Sequence, residues 1–377
     1  MKVNKLIKYQ LTIVFLLIII VPSLLNITGV EGFERKDENR TFNDSITINL
    51  NELINLPGQY DAFSNDNFFF RTPMLDFFHR MKFTVFNISP HPEKAIKGKD
   101  GWLFKSGREI NILNGKSDFS PEVLDSFKNE WKERMRYFKD ADIKVFWVIA
   151  PLKHRIYYDK LPYNVIVSET NRTEVLKEHL KRDYPNLIID PSALLKAKKD
   201  SNRVYYQLDN HWNDKAGYFI SNLLIQKLRI EFPTKDILEI PPVTWQIDEN
   251  FSQGFHHRVM GIDELKERNE TATIKNPQAQ EAEKFGFKSI EGFAYPWDYE
   301  NRFINKELKN GLRVLFIRDS FGKAIRPFIK EAFQESLLIF DAWQFKLNAP
   351  IIEEFKPDVV IYIGLETNIE NFFKDYK

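Results

Sequence analysis

Two short segments carry residue types that can move a proton and attack a carbonyl carbon. One is Gln207-Leu208-Asp209-Asn210-His211-Trp212-Asn213, and the other is Arg318-Asp319-Ser320-Phe321-Gly322. A carboxylate two residues from an imidazole can hold the ring's tautomer and stabilise the imidazolium. A serine at a strand-to-helix turn presents its hydroxyl beside backbone N–H groups that suit an oxyanion. The implied assignment is Ser320 as nucleophile, His211 as general base and then acid, and Asp209 as orienting carboxylate. Each residue also has a plainer role open to it. Ser320 can cap a helix, Asp319 can be that cap with Ser320 turned outward, and His211 can be a partly buried histidine bonded to Asp209 for stability. Complementary catalytic types on two polar loops of one sheet favour the reactive assignment.

The elements that must position these loops follow from periodicity. Apolar runs predict strands at Lys144 to Ala150, Leu187 to Ile189, Val204 to Leu208, Leu312 to Ile317, Leu337 to Phe340 and Val359 to Ile363. Between them, helical spacing runs from Ser120 to Phe138, Thr173 to Arg182, Pro191 to Lys199, Asn213 to Arg229 and Gly322 to Phe333. Such alternation predicts an α/β fold, a doubly wound parallel sheet flanked by helices, whose ligands bind at the carboxyl ends of strands. Both motifs fall at such ends. Residues 241–310 lose the pattern and read as a surface insertion or cap.

Composition removes several classes of function. The 377 residues carry 54 basic and 53 acidic side chains, a net charge of +1, so no global field attracts nucleic acid. There is no cysteine, which excludes a disulfide scaffold, a thiolate nucleophile and a Cys-based metal centre. At the amino terminus Lys2, Lys5 and Lys8 precede an apolar run from Leu11 to Leu25. Extended to Val30 it nears the ~20 residues of a spanning helix. The expectation is a transmembrane signal anchor over 1–30 with a cytoplasmic tip, a cleavable signal peptide being the alternative. A polar extracytoplasmic linker over 31–59 and one folded domain over 60–377 follow.

The motifs Asp209-Asn210-His211-Trp212-Asn213 and Arg318-Asp319-Ser320-Phe321-Gly322 resemble the two catalytic motifs of the alginate O-acetyltransferase AlgX/AlgJ group, whose domains are related to SGNH hydrolases. Gly98 to Phe104 is similar to the family's entry strand, Ala150 to Pro162 to its first strand-end loop, and Lys356 to Ile361 to its closing strand. The resemblance implies an SGNH-hydrolase-like fold in which Ser320 takes an acetyl group, with His211 and Asp209 completing the triad. It also implies a polysaccharide acceptor, no cofactor, and a multi-pass membrane O-acyltransferase that supplies acetyl across the membrane. Arg318 departs from the wider SGNH pattern, which has Gly there and so leaves the partner of the Ser320 N–H in the oxyanion hole unassigned. The Asp-to-His spacing of two, rather than three, agrees with the acetyltransferase branch. A polysaccharide acetyl esterase and a catalytically idle polysaccharide-binding module use the same fold and stay open.

Candidates for substrate binding are weaker. Lys153 and His154 at a strand end can contact a sugar, position a loop or form a solvated turn. Arg326, six residues after Ser320, can reach an anionic sugar or form a salt bridge. Trp343 can stack on a sugar ring, and Asp341, Glu366 and Asn368 also follow the last two strands. His256 and His257 read as surface residues of the insertion, with no metal site expected.

Overall fold

The inner parallel strands of the main sheet read as nearly continuous apolar sequence because helices cover both of its faces. The computed structural model describes residues 5–28, 32–35 and 41–373. In chain order, helices α1 (Lys5–Ile27), α2 (Leu56–Asn67) and α3 (Arg71–Arg80) come first. Strands β1 (Ala95–Lys97) and β2 (Leu103–Lys105) and helices α4 (Arg108–Leu113) and α5 (Pro121–Asp140) lead to strand β3 (Lys144–Ala150). Helices α6 (Lys153–Ile156) and α7 (Arg172–Lys181), strand β4 (Ile188–Ile189), and helices α8 (Ser192–Lys198) and α9 (Asp214–Glu231) follow. Then come β5 (Val243–Phe251), α10 (Phe255–Met260), β6 (Glu267–Ile274), β7 (Gln280–Glu281) and β8 (Glu300–Ile304). The chain finishes through β9 (Arg313–Arg318), α11 (Gly322–Ile329), β10 (Glu335–Phe340), α12 (Ala349–Phe355) and β11 (Val359–Leu365).

The main sheet has the order β4-β3-β11-β9-β10-β8-β7. Its first five strands run parallel. β8 pairs antiparallel with β10, and β7 with β8, so the sheet is mixed rather than wholly parallel. Both antiparallel strands come from the stretch that loses its pattern, which is therefore a sheet edge as well as an excursion. Alternate residues along each strand enter opposite cores. Phe146, Val148 and Phe316 pack on the side of Ile220, Leu224 and Ile325, which belong to α9 and α11. Trp147, Ile149 and Ile317 pack on the side of Phe127, Trp131 and Ile352, which belong to α5 and α12. Helix α5 shows how local sequence sets an element: the Ser120 side chain accepts from the Val123 N–H, Pro121 sits in the first turn, and Phe127, Trp131 and Phe138 are buried at helical spacing.

Two expectations change. Residues Val204 to Leu208 form no strand, and only an isolated bridge links Tyr205 to Trp212. Backbone and side-chain partners share their polar groups: Tyr206 N–H donates to His211 O, Asn213 N–H to Val204 O and Leu103 N–H to Gln207 O, while the Tyr157 hydroxyl accepts from Val204 N–H and Glu267 from Gln207 and Leu208 N–H. By compactness the chain divides into two units, Met1–Ala95 with Gly254–Leu265, and Ile96–Gln253 with Lys266–Lys377. Finally, α1 contains Pro22, and among the described residues no helix is long and apolar enough to cross a membrane. The run from Leu11 to Leu25 rises about 22 Å as a helix, short of a hydrocarbon core of about 30 Å. Residues 1–4, 29–31 and 36–40 of the expected anchor and linker, and 374–377 of the expected domain, lie outside the described residues.

Candidate active site

The Ser320 segment starts where β9 ends. Asp319 is buried there and spans two strand ends. Its N–H donates to Ile363 O (3.0 Å), its Oδ1 accepts from Phe321 N–H (2.8 Å) and its Oδ2 from Leu365 N–H (2.8 Å). Burial pushes the Asp319 carboxyl up from its ordinary range, against the opposing pull of those N–H donors. Because Asp319 closes the turn, Ser320 is not needed as a cap, and α11 begins without a side-chain cap. Arg318, fully buried, takes up the space before the turn: its guanidinium meets Asp298 Oδ1 at 2.9 Å and stands 4.8 Å over the Phe340 ring. Gly322 is required by that packing, since a Cβ there would lie 2.4 Å from Arg318 Cδ. Asp298 also accepts from Arg326 at 2.7 Å. Burial works against its charge, but the two guanidinium groups outweigh that and hold the carboxyl below the usual range.

The second segment is a tight excursion between Tyr205 and Trp212. Asn213 caps α9 by accepting from Ala216 N–H (3.3 Å) and ties back by donating to Arg203 O (2.7 Å). Trp212 Nε1–H donates to Phe321 O at 2.7 Å, which draws the two segments together. The side chains then converge. Asp209 Oδ1 lies 2.5 Å from His211 Nδ1 and 2.9 Å from the His211 N–H, and His211 Nε2 lies 2.8 Å from Ser320 Oγ. The partners assign the tautomer: Nδ1 carries its proton toward the carboxylate, leaving the Nε2 lone pair for the serine hydroxyl. The Phe321 ring sits 4.8 Å from the imidazole. Asp209 is buried, whereas Ser320 and His211 keep part of their surface open, so a molecule from solvent can reach the serine hydroxyl while the carboxylate behind the ring stays dry.

The substrate-binding candidates fare differently. Lys153 and His154 are 2% and 1% exposed, so they form neither a solvated turn nor a direct sugar contact. Lys153 Nζ donates to Leu103 O, Gln207 O and Asp209 O. His154 Nε2–H donates to Lys105 O at 2.8 Å, and burial lowers its pKa to about 3, keeping the ring neutral. Arg326 takes the ion-pair role, with Asp298 and Asn301 (2.9 Å) as partners. Trp343 is half-buried against Phe340 and Tyr295, with ring centroids at 4.9 and 6.3 Å. Asp341 and Glu366 are buried supports, the first accepting from Lys346 N–H and the second pairing with Arg155, while Asn368 donates to Asp319. His256 is fully buried rather than a surface residue, because it shares one face of α10 with Met260 at helical spacing. Among the described residues no acidic and histidine cluster is built to hold a metal ion. Sequence reasoning missed Glu267 and Asp298, the carboxylates that brace the two segments. Both lie in weakly patterned stretches where no local signal marks them.

A family model described as an SGNH hydrolase-like domain, acetyltransferase AlgX, matches residues 95–283, half of the chain. The match includes Asp209 and His211 and ends before Ser320. No curated protein matches the chain. Among solved structures, Bacillus cereus PatB1 with a sulfonyl adduct is 15% identical, covering 75% of this chain and 100% of that one at a TM-score of 0.55. A second PatB1 structure is 16% identical, covering 73% and 97% at a TM-score of 0.51. The O-acetyltransferase domain of Pseudomonas putida AlgJ is 11% identical, covering 73% and 92% at 0.48. The likeness to PatB1 extends to the fold, and with half its length matched by the AlgX model the chain belongs to the SGNH hydrolase-like acetyltransferase family.

Proposed function

We propose that this chain is an extracytoplasmic O-acetyltransferase that carries an acetyl group on Ser320 and passes it to a hydroxyl of a cell-surface polysaccharide. The observation that carries the reading is the 2.8 Å approach of His211 Nε2 to Ser320 Oγ, with Asp209 behind the ring at 2.5 Å. Oγ attacks the donor's acetyl carbonyl as Nε2 takes its proton. The oxyanion forms beside the Ser320 N–H, which has no hydrogen-bond acceptor among the described residues. The donor's leaving group departs with the proton from Nε2, leaving acetyl as an ester on Oγ. An acceptor hydroxyl then gives its proton to Nε2, attacks the ester and restores Ser320. Family membership favours acetyl transfer over simple hydrolysis. Export is supported by basic residues ahead of an apolar run, and placing the domain beside a membrane acyltransferase would give it an acetyl source outside the cytoplasm.

The test is acetate release from a chromogenic acetyl ester, with and without an oligosaccharide acceptor, alongside covalent labelling of the chain by a sulfonyl fluoride. Acetylated sugar and a label on Ser320 are expected, both absent in Ser320→Ala. Full turnover in Ser320→Ala would overturn the nucleophile, and acetate release with no acetylated sugar would replace the transferase with an esterase. Fractionation of cells producing the chain checks its location, and recovery in the cytoplasm would remove the export proposal.

A further inference from the structure

The segment that carries Asp209 and His211 is gripped on both edges of its backbone by buried charges. On one edge Lys153 Nζ–H groups donate to Leu103 O (2.6 Å), Gln207 O (2.9 Å) and Asp209 O (2.9 Å). On the other, Glu267 of β6 is 3% exposed and accepts from Gln207 N–H (2.6 Å) and Leu208 N–H (3.1 Å). Arg203 backs Glu267 at 3.1 Å. The rings of Trp102 and Phe104 stand 4.9 and 5.0 Å from Nζ and close off water. An exposed turn would satisfy these carbonyl and N–H groups with solvent; here a single backbone bond, Leu103 N–H to Gln207 O (3.1 Å), is joined by two buried ions that take the remaining groups. An ammonium has three donors, and all three are engaged. A neutral amine would lose one bond and turn a lone pair toward a carbonyl.

We propose that Lys153 and Glu267 are positioning residues for acetyl transfer, fixing the backbone from Gln207 to Asp209 and with it the direction in which the Asp209 carboxylate holds His211. This rests on the triad reading above, and neither residue touches a reacting atom. Asp209 is bound to Lys153 through its carbonyl and to His211 through its carboxylate, so loss of the first contact frees the second. Burial draws the Lys153 pKa down to about 7, Glu267 and Asp209 opposing and Arg203 assisting. The adjacent His154 stays neutral. The ammonium population therefore falls as pH rises through neutrality, and the grip loosens on the alkaline side.

The test uses the full chain and the variants Lys153→Met, Lys153→Arg and Glu267→Gln, each checked for wild-type-like melting. Acetate release is followed across pH, and the low-field NMR signal of the His211 Nδ1 proton is recorded in parallel. Lys153→Met and Glu267→Gln are expected to lower kcat by roughly 10–100-fold with KM little changed, and to broaden the low-field proton. Lys153→Arg, charged at every working pH, is expected to recover part of kcat and to move the alkaline limb upward. A folded Lys153→Met with unchanged kcat and proton signal would overturn the proposal. If that variant does not fold, an unmoved alkaline limb in Lys153→Arg overturns it instead. Should wild type release no acetate, the functional reading fails separately. The low-field proton still decides the clamp, and an identical signal in wild type and Glu267→Gln rejects it.

Discussion

Asp209 Oδ1 accepts from both the backbone N–H and the ring Nδ1–H of His211, so one atom fixes the main chain and the tautomer together. Asp209→Asn keeps an acceptor for the main chain but can present an amide N–H to the ring, favouring the wrong tautomer. The expected result is a kcat lower by roughly 10³–10⁴-fold with melting nearly unchanged, as steady-state kinetics and calorimetry would show. A second buried carboxylate makes a prediction about pH. Asp341 is 6% exposed, its Oδ1 has no partner among the described residues, and burial raises its pKa to about 7. The folded state thus binds a proton that the unfolded chain releases near its ordinary value of 3.8. Stability from this group is present at acid pH and is lost as pH rises from about 4 to about 7. Asp341→Asn, neutral throughout, should raise Tm at pH 8 and change it little below about pH 4. Equal shifts at both pH values would show that the carboxylate is not held protonated.

At the scale of elements, the helices behind the two catalytic segments pack directly on each other. A Cβ at Gly217 of α9 would lie 2.0 Å from Ala324 O of α11, so only glycine permits the present separation. His211 precedes the start of α9 and Ser320 the start of α11, which makes this crossing a control on the distance between them. Gly217→Val should cost roughly 1–3 kcal/mol by overpacking, and should lower kcat beyond what Tm loss explains. Wild-type kcat in a destabilised variant would separate packing from catalysis. The positions of these helices were legible in the sequence because their apolar spacing is strong. The observed bounds of β3 coincide with the apolar run Lys144 to Ala150. The stretch from Val204 to Leu208 reads as a strand because its apolar residues are buried, yet Val204, Tyr205 and Leu208 are buried by an irregular segment in which Lys153 bonds Gln207 O and Glu267 the N–H groups of Gln207 and Leu208. Burial alone does not distinguish those two outcomes.

Across the whole molecule, the least legible stretch is the one that ties distant parts together. Residues 241–310 contribute β7 and β8 to the sheet edge, Glu267 to the His211 segment and Asp298 to the Ser320 segment. Glu267 and Asp298 are single charged residues whose partners Gln207 and Arg318 lie 60 and 20 positions away, a relation that periodicity does not encode. The same stretch contains residues Gly254–Leu265, which join Met1–Ala95 as a separate unit. Within that unit Met260 and His256 are fully buried and Ser89 Oγ lies 3.7 Å from Met260 Sδ. Removing residues 1–95 alone should therefore strip cover from α10, lower Tm by about 5–10 °C and promote aggregation through the uncovered apolar surface. A compensating change is available because β5 and β6 pair antiparallel, with Phe251 opposite Glu267. Replacing 252–266 by a short Gly-Asn turn in the truncated chain removes the uncovered helix and keeps Glu267 in register. Recovery of Tm in the doubly altered chain, read by calorimetry, is the expected outcome. A truncated chain that already melts like wild type would show that α10 needs nothing from the preceding residues.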